Sequence, residues 1–277
     1  MTVTTPGAKL DAPSLGAAVA VRSAIYNIAF YVNLIVLMIG GLPLVFMGRK
    51  AVFIMARAWA RNSLWLLEKI CGTRVEFRGE KNIPATGTII AAKHQSILET
   101  FALTLKVPDF SYVLKRELMW VPLFGWYLKG AEQIAIDRGS GKAALSQVAA
   151  KAGDALREGR AVYIFPEGTR RAVGAPPQYK QGVAHLYTAT GAPCVPVAVN
   201  TGVFWPRRSF LRKPGLCVIE FLPAIEPGLD KDSFSARLQD EIETATNALV
   251  AAAYAANPAL APPWSESVGD EPPGNET

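Results

Sequence analysis

A chain of 277 residues can bury a substantial core, and with half of its residues hydrophobic against 19% charged it is oily for a soluble protein yet too mixed for a polytopic membrane protein. The net charge of +6 hides a split: residues 257–277 hold Glu266, Asp270, Glu271 and Glu276 with no Lys or Arg, leaving 29 bases against 19 acids, or +10, elsewhere. Such a body suits an anionic partner, a membrane surface or a phosphorylated metabolite, whereas nucleic acid is not expected, since no binding motif and no basic tract interleaved with stacking aromatics occurs.

Residues 1–22 read as a flexible leader. From Ser23 to Gly48 no charge occurs, and as one helix these residues would span about 39 Å, enough for a hydrocarbon core of about 30 Å. Gly40, Gly41 and Pro43 interrupt the segment, and Asn27 and Asn33 would need partners in lipid. A second helix follows, with Lys50, Arg57 and Arg61 on one stripe. It is expected to lie at the bilayer interface with its cations on anionic headgroups, the alternative being an amphipathic helix packed on the body. Residues 23–71 are thus expected to form a two-helix membrane anchor, spanning or re-entrant. The cations behind the apolar segment place the rest of the protein on the cytoplasmic face of the inner membrane.

After Gly72 the period changes. Short β-branched runs stand at 73–79, 88–93, 111–114, 133–136, 161–165, 194–199 and 216–221, with helical patterns at 141–157 and 181–189 between them. This predicts an α/β fold over 72–256: a mixed, largely parallel sheet flanked by helices, with ligands beyond the carboxyl ends of the strands. A last helix is expected to start at a Ser233 cap, and 257–277 reads as a disordered acidic, Pro-rich tail. Cys71, Cys194 and Cys217 lack disulfide or zinc spacing, and no metal site is expected.

The run "AAKHQSILETF" carries one of two histidines, His94, five residues ahead of Glu99. Positions i and i+5 of a regular helix point 140° apart, so the two side chains meet only if His94 precedes the helix. Ser96 supplies a cap that allows this. Ser96 and Glu99 also form an S-x-x-E capping box, in which the carboxylate would serve the backbone and not the ring. On spacing alone the two readings are even. Downstream, "FPEGTRR" ends a predicted strand with Glu167, Gly168, Thr169 and Arg170: a glycine for close backbone approach, a hydroxyl and a phosphate-matching guanidinium.

"KHQSILE" followed at this distance by "FPEGTR" resembles the glycerolipid acyltransferases, particularly the lysophosphatidic acid acyltransferases. The four ordered blocks of that family can be placed here. His94 with Glu99 matches H-x-x-x-x-D, with Glu for the family's Asp; "GAEQIAIDR" closes on Arg138; "FPEGTR" is intact; and "VPVAVN" surrounds Pro196. The resemblance covers roughly 75–225. It implies transfer of an acyl group from acyl-CoA or acyl carrier protein to the sn-2 hydroxyl of 1-acylglycerol-3-phosphate in phospholipid biosynthesis, with the thioester as co-substrate and no cofactor. Other lysolipids, lyso-ornithine lipid or glycerol-3-phosphate are alternative acceptors, and a non-catalytic lipid-binding protein is the reading outside enzymes. His94 and Glu99 are then the catalytic pair. Arg138, Glu167, Gly168, Thr169, Arg170, Lys115 and Lys180 are the substrate-binding candidates, Glu167 either bracing the loop or an arginine or orienting the acceptor. Ser96 is better explained as a cap than as a nucleophile, and His185, without a carboxylate within four residues, as a structural histidine.

Overall fold

The computed structural model describes residues 16–137 and 141–262. Seven strands, β1 (Thr73–Arg78), β2 (Ile89–Ala92), β3 (Phe110–Lys115), β4 (Ile134–Ile136), β5 (Ala161–Ile164), β6 (Cys194–Val199) and β7 (Gly215–Phe221), follow the predicted runs closely and form one sheet in the order β1-β7-β6-β2-β5-β3-β4. Every neighbouring pair is parallel except β6 with β7. The helices are α1 (Ala17–Gly40), α2 (Arg49–Leu66), α3 (Leu98–Ala102), α4 (Phe124–Gly130), α5 (Gly141–Arg157), α6 (Gly182–Thr190), α7 (Thr201–Phe204) and α8 (Lys231–Ala256).

Both sheet faces are covered, which is why the central strands read as continuous apolar runs. On β2, Ile90 and Ala92 enter one core with Val52, Phe53 and Met55 of α2, while Ile89 and Ala91 enter the other with residues of α5, α6 and α8. α2 thus packs on the sheet, the alternative weighed for it, while Ile54 and Trp65 on its outer face stay exposed. α2 buries Val52, Phe53, Met55 and Ala60. Its Arg57 turns inward, donating to the carbonyl oxygens of Val107 (3.2 Å), Thr104 (3.4 Å) and Pro108. Arg49 ties the same helix to Asp109 at 3.0 Å and Glu132 at 2.6 Å. A helix facing a sheet and a helix facing a bilayer show the same period, so the pattern could not separate them.

Among the described residues one helix, α1, is long and apolar enough to cross a membrane, at about 36 Å. It starts at Ala17 and so carries Arg22, which the expected leader had included; residues 1–15 of that leader lie outside the described residues. Ser23, Tyr26 and Phe30 face the body, while Ile25, Ile28, Val32, Ile35 and Ile39 are exposed. The asparagines find partners on the protein: Asn27 Nδ2 donates to the Phe210 carbonyl at 3.0 Å and Asn33 Nδ2 to Ser63 Oγ at 3.1 Å. α1 stops at Gly40, and a 3-10 turn, Leu42–Met47, leads into α2.

α8 is capped by Asp230 and not by Ser233. The Asp230 carboxylate accepts from the amides of Asp232 (2.9 Å) and Ser233 (3.0 Å), satisfying two orphan donors where a serine would satisfy one. α8 ends at Ala256 and a short 3-10 turn, Pro258–Leu260, follows; the expected tail from 263 onward lies outside the described residues.

Candidate active site

β2, β5 and β6 are parallel and adjacent, so the turns leaving their carboxyl ends meet at one edge of the sheet. The turn after β2 carries His94, the turn after β5 carries residues 165–170, and α7 follows β6.

His94 and Glu99 meet. Nδ1 of the ring lies 2.8 Å from Glu99 Oε1, and the same oxygen accepts from the amides of Gln95 (2.9 Å) and Ser96 (2.7 Å). Ser96 Oγ accepts from the Leu98 amide at 3.2 Å. The capping box and the ring-orienting carboxylate thus prove to be one arrangement. Glu99 reaches the ring from the first turn of α3, the extra methylene over the family's Asp notwithstanding. Oε2 accepts from Thr201 Oγ1 at 2.6 Å. The Glu99 side chain is wholly buried and that of His94 is 16% exposed. An ionised carboxylate only accepts, so Nδ1 carries the proton and Nε2 is the free basic nitrogen.

The 165–171 segment grips His94 from three sides. Phe165 stacks on the imidazole with centroids 4.0 Å apart and planes 18° apart. Glu167 Oε2 accepts from the His94 amide at 3.1 Å, and the Arg171 amide donates to the His94 carbonyl at 2.7 Å. Glu167 itself is buried, and its Oε1 takes a bond from Lys93 Nζ at 2.9 Å. Lys93 also reaches Glu243 of α8 at 2.5 Å, and Tyr179 OH donates to Glu243 at 2.9 Å. Burial pushes the Glu167 carboxyl above its ordinary range, against the pull of Lys93 and the His94 amide. With both oxygens occupied and no exposure, Glu167 braces the turn beneath His94, the first of the two roles open to it. Lys93 and Glu243 were missed because a buried ion pair between residues 150 apart leaves no local signal.

The other candidates divide. Gly168 has φ 66°, the left-handed region that suits glycine, and turns the chain so that Thr169 and Arg170 line a cavity of about 490 Å³ together with His94. Lys115 lines the same cavity. Lys180 does not: it is exposed and gives the turn only its amide, which donates to the Pro166 carbonyl at 2.8 Å. Arg138 lies outside the described residues. Arg207, unmarked in the sequence, donates from Nη1 to the Arg170 carbonyl at 2.8 Å. Away from its polar mouth the cavity is apolar, walled by Met38, Phe53, Met55, Phe110 and Tyr127. His185 sits half-buried on α6, away from this lining. Among the described residues no group of three His, Cys, Asp or Glu side chains is placed to hold a metal, and Cys71, Cys194 and Cys217 are buried free thiols.

Known proteins resemble this chain in sequence and in fold. Residues 74–200 match the acyltransferase family. Over 167 residues the chain is 42% identical to a 1-acyl-sn-glycerol-3-phosphate acyltransferase of Pseudomonas aeruginosa, a match covering 60% of this chain and 65% of that protein. It is 31% identical over 170 residues to the mouse 1-acyl-sn-glycerol-3-phosphate acyltransferase alpha, covering 60% of each. The chain thus spans less than two thirds of the length of these relatives. The crystal structure of the 1-acyl-sn-glycerophosphate acyltransferase PlsC of Thermotoga maritima shares the fold at a TM-score of 0.68 and 20% identity, over 83% of this chain and 98% of that one. The α/β architecture is thus shared with that structure, and residues 74–200 resemble the acyltransferase family.

Proposed function

We propose that the acyltransferase domain moves a fatty acyl group from acyl-CoA or acyl carrier protein to the sn-2 hydroxyl of 1-acylglycerol-3-phosphate, giving phosphatidic acid for phospholipid synthesis. The observation that carries this is the 2.8 Å contact between His94 Nδ1 and the buried Glu99 carboxylate, set in a cavity that Arg170 also lines. An alcohol attacks a thioester only as its proton leaves. His94 Nε2 takes that proton while the hydroxyl oxygen bonds the carbonyl carbon, and Glu99 stabilises the imidazolium that forms. The carbon–sulfur bond then breaks and the departing thiolate receives the proton from His94. Arg170, with Thr169 and Lys115, holds the acceptor's phosphate, and the apolar end of the cavity takes a hydrocarbon chain. Ser96 Oγ is occupied as a cap, so the lipid hydroxyl is the nucleophile and no acyl-enzyme forms.

The bilayer is the second partner in this reading. The exposed face of α1 is apolar along its length, and it continues into Phe46 and Met47 of the following turn. The loop bearing Arg207, Arg208 and exposed Phe210 is tied to α1 through the Asn27 and Ser23 contacts. Apolar surface flanked by cations fits an anionic leaflet, and the cations that follow the apolar segment support a location on the cytoplasmic face of the inner membrane.

The test is a panel of acceptors offered to purified protein with labelled acyl-CoA or acyl carrier protein. Lysophosphatidic acid is expected to give the highest kcat/KM; a higher value for lyso-ornithine lipid or glycerol-3-phosphate would reassign the acceptor, and no transfer to any would reject the enzyme. Flotation with phosphatidylglycerol-containing vesicles tests the bilayer assignment, which fails if the protein stays at the bottom of the gradient.

A further inference from the structure

Glu99 is an anion sealed from water, and among the described residues no Lys or Arg stands within ion-pair distance of it. Uncharged donors offset the cost of burying it: the ring Nδ1 and two amides on Oε1, and on Oε2 the Thr201 hydroxyl. Thr201, itself wholly buried, reaches the pair through the order of the strands. β6 runs parallel to β2 with Val197 opposite Ala92, so α7, which follows β6, closes over the turn that follows β2. A second contact fixes the spacing. The Gly202 amide donates to Gln95 Oε1 at 3.0 Å, and a Cβ on Gly202 would stand 2.8 Å from Val173 Cγ2 and 3.0 Å from Gln95 Cβ. Glycine at 202 is what lets α7 approach this closely.

We propose that Thr201 is a positioning residue for His94, acting through Glu99: its hydroxyl fixes the carboxylate so that Oε1 faces the ring, and it draws charge from that carboxylate so that the His94–Glu99 pair gives up its proton at lower pH. The proposal rests on His94 as the base. The other titratable groups that feel Glu99 are Tyr112 and Cys217, both pushed well up by burial and by the Glu99 charge, and therefore neutral at pH 7. Glu167 sits behind the His94 backbone with Lys93 against it, and Arg170 and Lys115 face the cavity that His94 lines. None of these is altered by a change at 201.

Thr201→Val keeps the shape and deletes the donor; Thr201→Ser keeps the donor. Carbethoxylation of His94 by diethyl pyrocarbonate, located by mass spectrometry with His185 as internal control, reads the proton on the pair without requiring turnover. Losing the hydroxyl leaves the carboxylate more basic, and the pair then holds its proton to higher pH. The half-reactive pH of the valine variant is expected to rise by roughly 0.5 to 1 unit, and kcat to fall about tenfold with both KM values unchanged, while the serine variant matches wild type. Should the valine variant not fold, Thr201→Ala carries the same expectation. An unmoved midpoint in a folded valine or alanine variant, or a serine variant that behaves like valine, overturns the proposal. A shifted midpoint in a protein that transfers no acyl group supports the contact and overturns the acyl-transfer reading instead.

Discussion

In Glu99→Gln the side chain keeps its length and loses its charge. With the amide oxygen in the place of Oε1 it still accepts from the ring, the Gln95 amide and the Ser96 amide, and the amide nitrogen faces the Thr201 hydroxyl, which can turn to accept. The Thr201 hydroxyl proton and the second amide hydrogen lose their acceptor in a buried site, so stability should fall by about 1–3 kcal/mol, a melting point lower by roughly 4–8 °C. What disappears is the field on the imidazolium. The ring nitrogen lies 2.8 Å from the carboxylate oxygen. With charge centres about 4 Å apart and an effective dielectric of about 20, the carboxylate is worth about 4 kcal/mol to the protonated ring. That is about 10³-fold in rate. Thermal melts and the kcat for labelled acyl transfer measure the two halves of this expectation separately. A folded variant with kcat within tenfold of wild type would show that Glu99 acts as a cap alone.

Arg170→Ala should raise KM for a phosphate-bearing acceptor by about tenfold or more, from the loss of a charge-assisted hydrogen bond, and leave KM for the thioester unchanged; equal rises would reject the phosphate assignment. Lys93→Met leaves buried Glu167 and half-buried Glu243 without their shared cation. The loss should be about 3–5 kcal/mol, seen as a melting point lower by roughly 10 °C, and a melting point unchanged within error would show that the pair contributes nothing.

The seven strands were legible as short apolar or β-branched runs, most clearly β2, β5 and β6, which are buried on both faces. Their order was not. Strand order is a non-local property, and it brings Thr201 to Glu99 across 102 residues of sequence. The catalytic pair could be read because a strand, a cap and an acid sit within a few residues of one another; the capping box looked like a rival only because the sequence cannot show one oxygen accepting three bonds. Arg170 and Thr169 were readable from the turn chemistry around Gly168. The choice between bracing and acceptor roles for Glu167 could not be made, since its orientation depends on Lys93, a residue that looks like any strand-end lysine. The packing of α2 on the sheet could not be read, because a helix facing a sheet and one facing lipid share the same period. Ser233 was preferred to Asp230 as a cap although both are good caps three residues apart, a margin that local sequence does not resolve.

The central claim is that His94 strips the acceptor hydroxyl as it attacks, with no acyl group passing through the protein. Purified wild type and His94→Ala are mixed with radiolabelled acyl-CoA, with and without lysophosphatidic acid, and lipid and protein are separated after quenching. Label is expected in phosphatidic acid only when acceptor is present, on the protein in neither case, and at a rate at least 10³-fold lower in the variant. Label retained covalently on the protein, or phosphatidic acid formed by His94→Ala within tenfold of the wild-type rate, would contradict it.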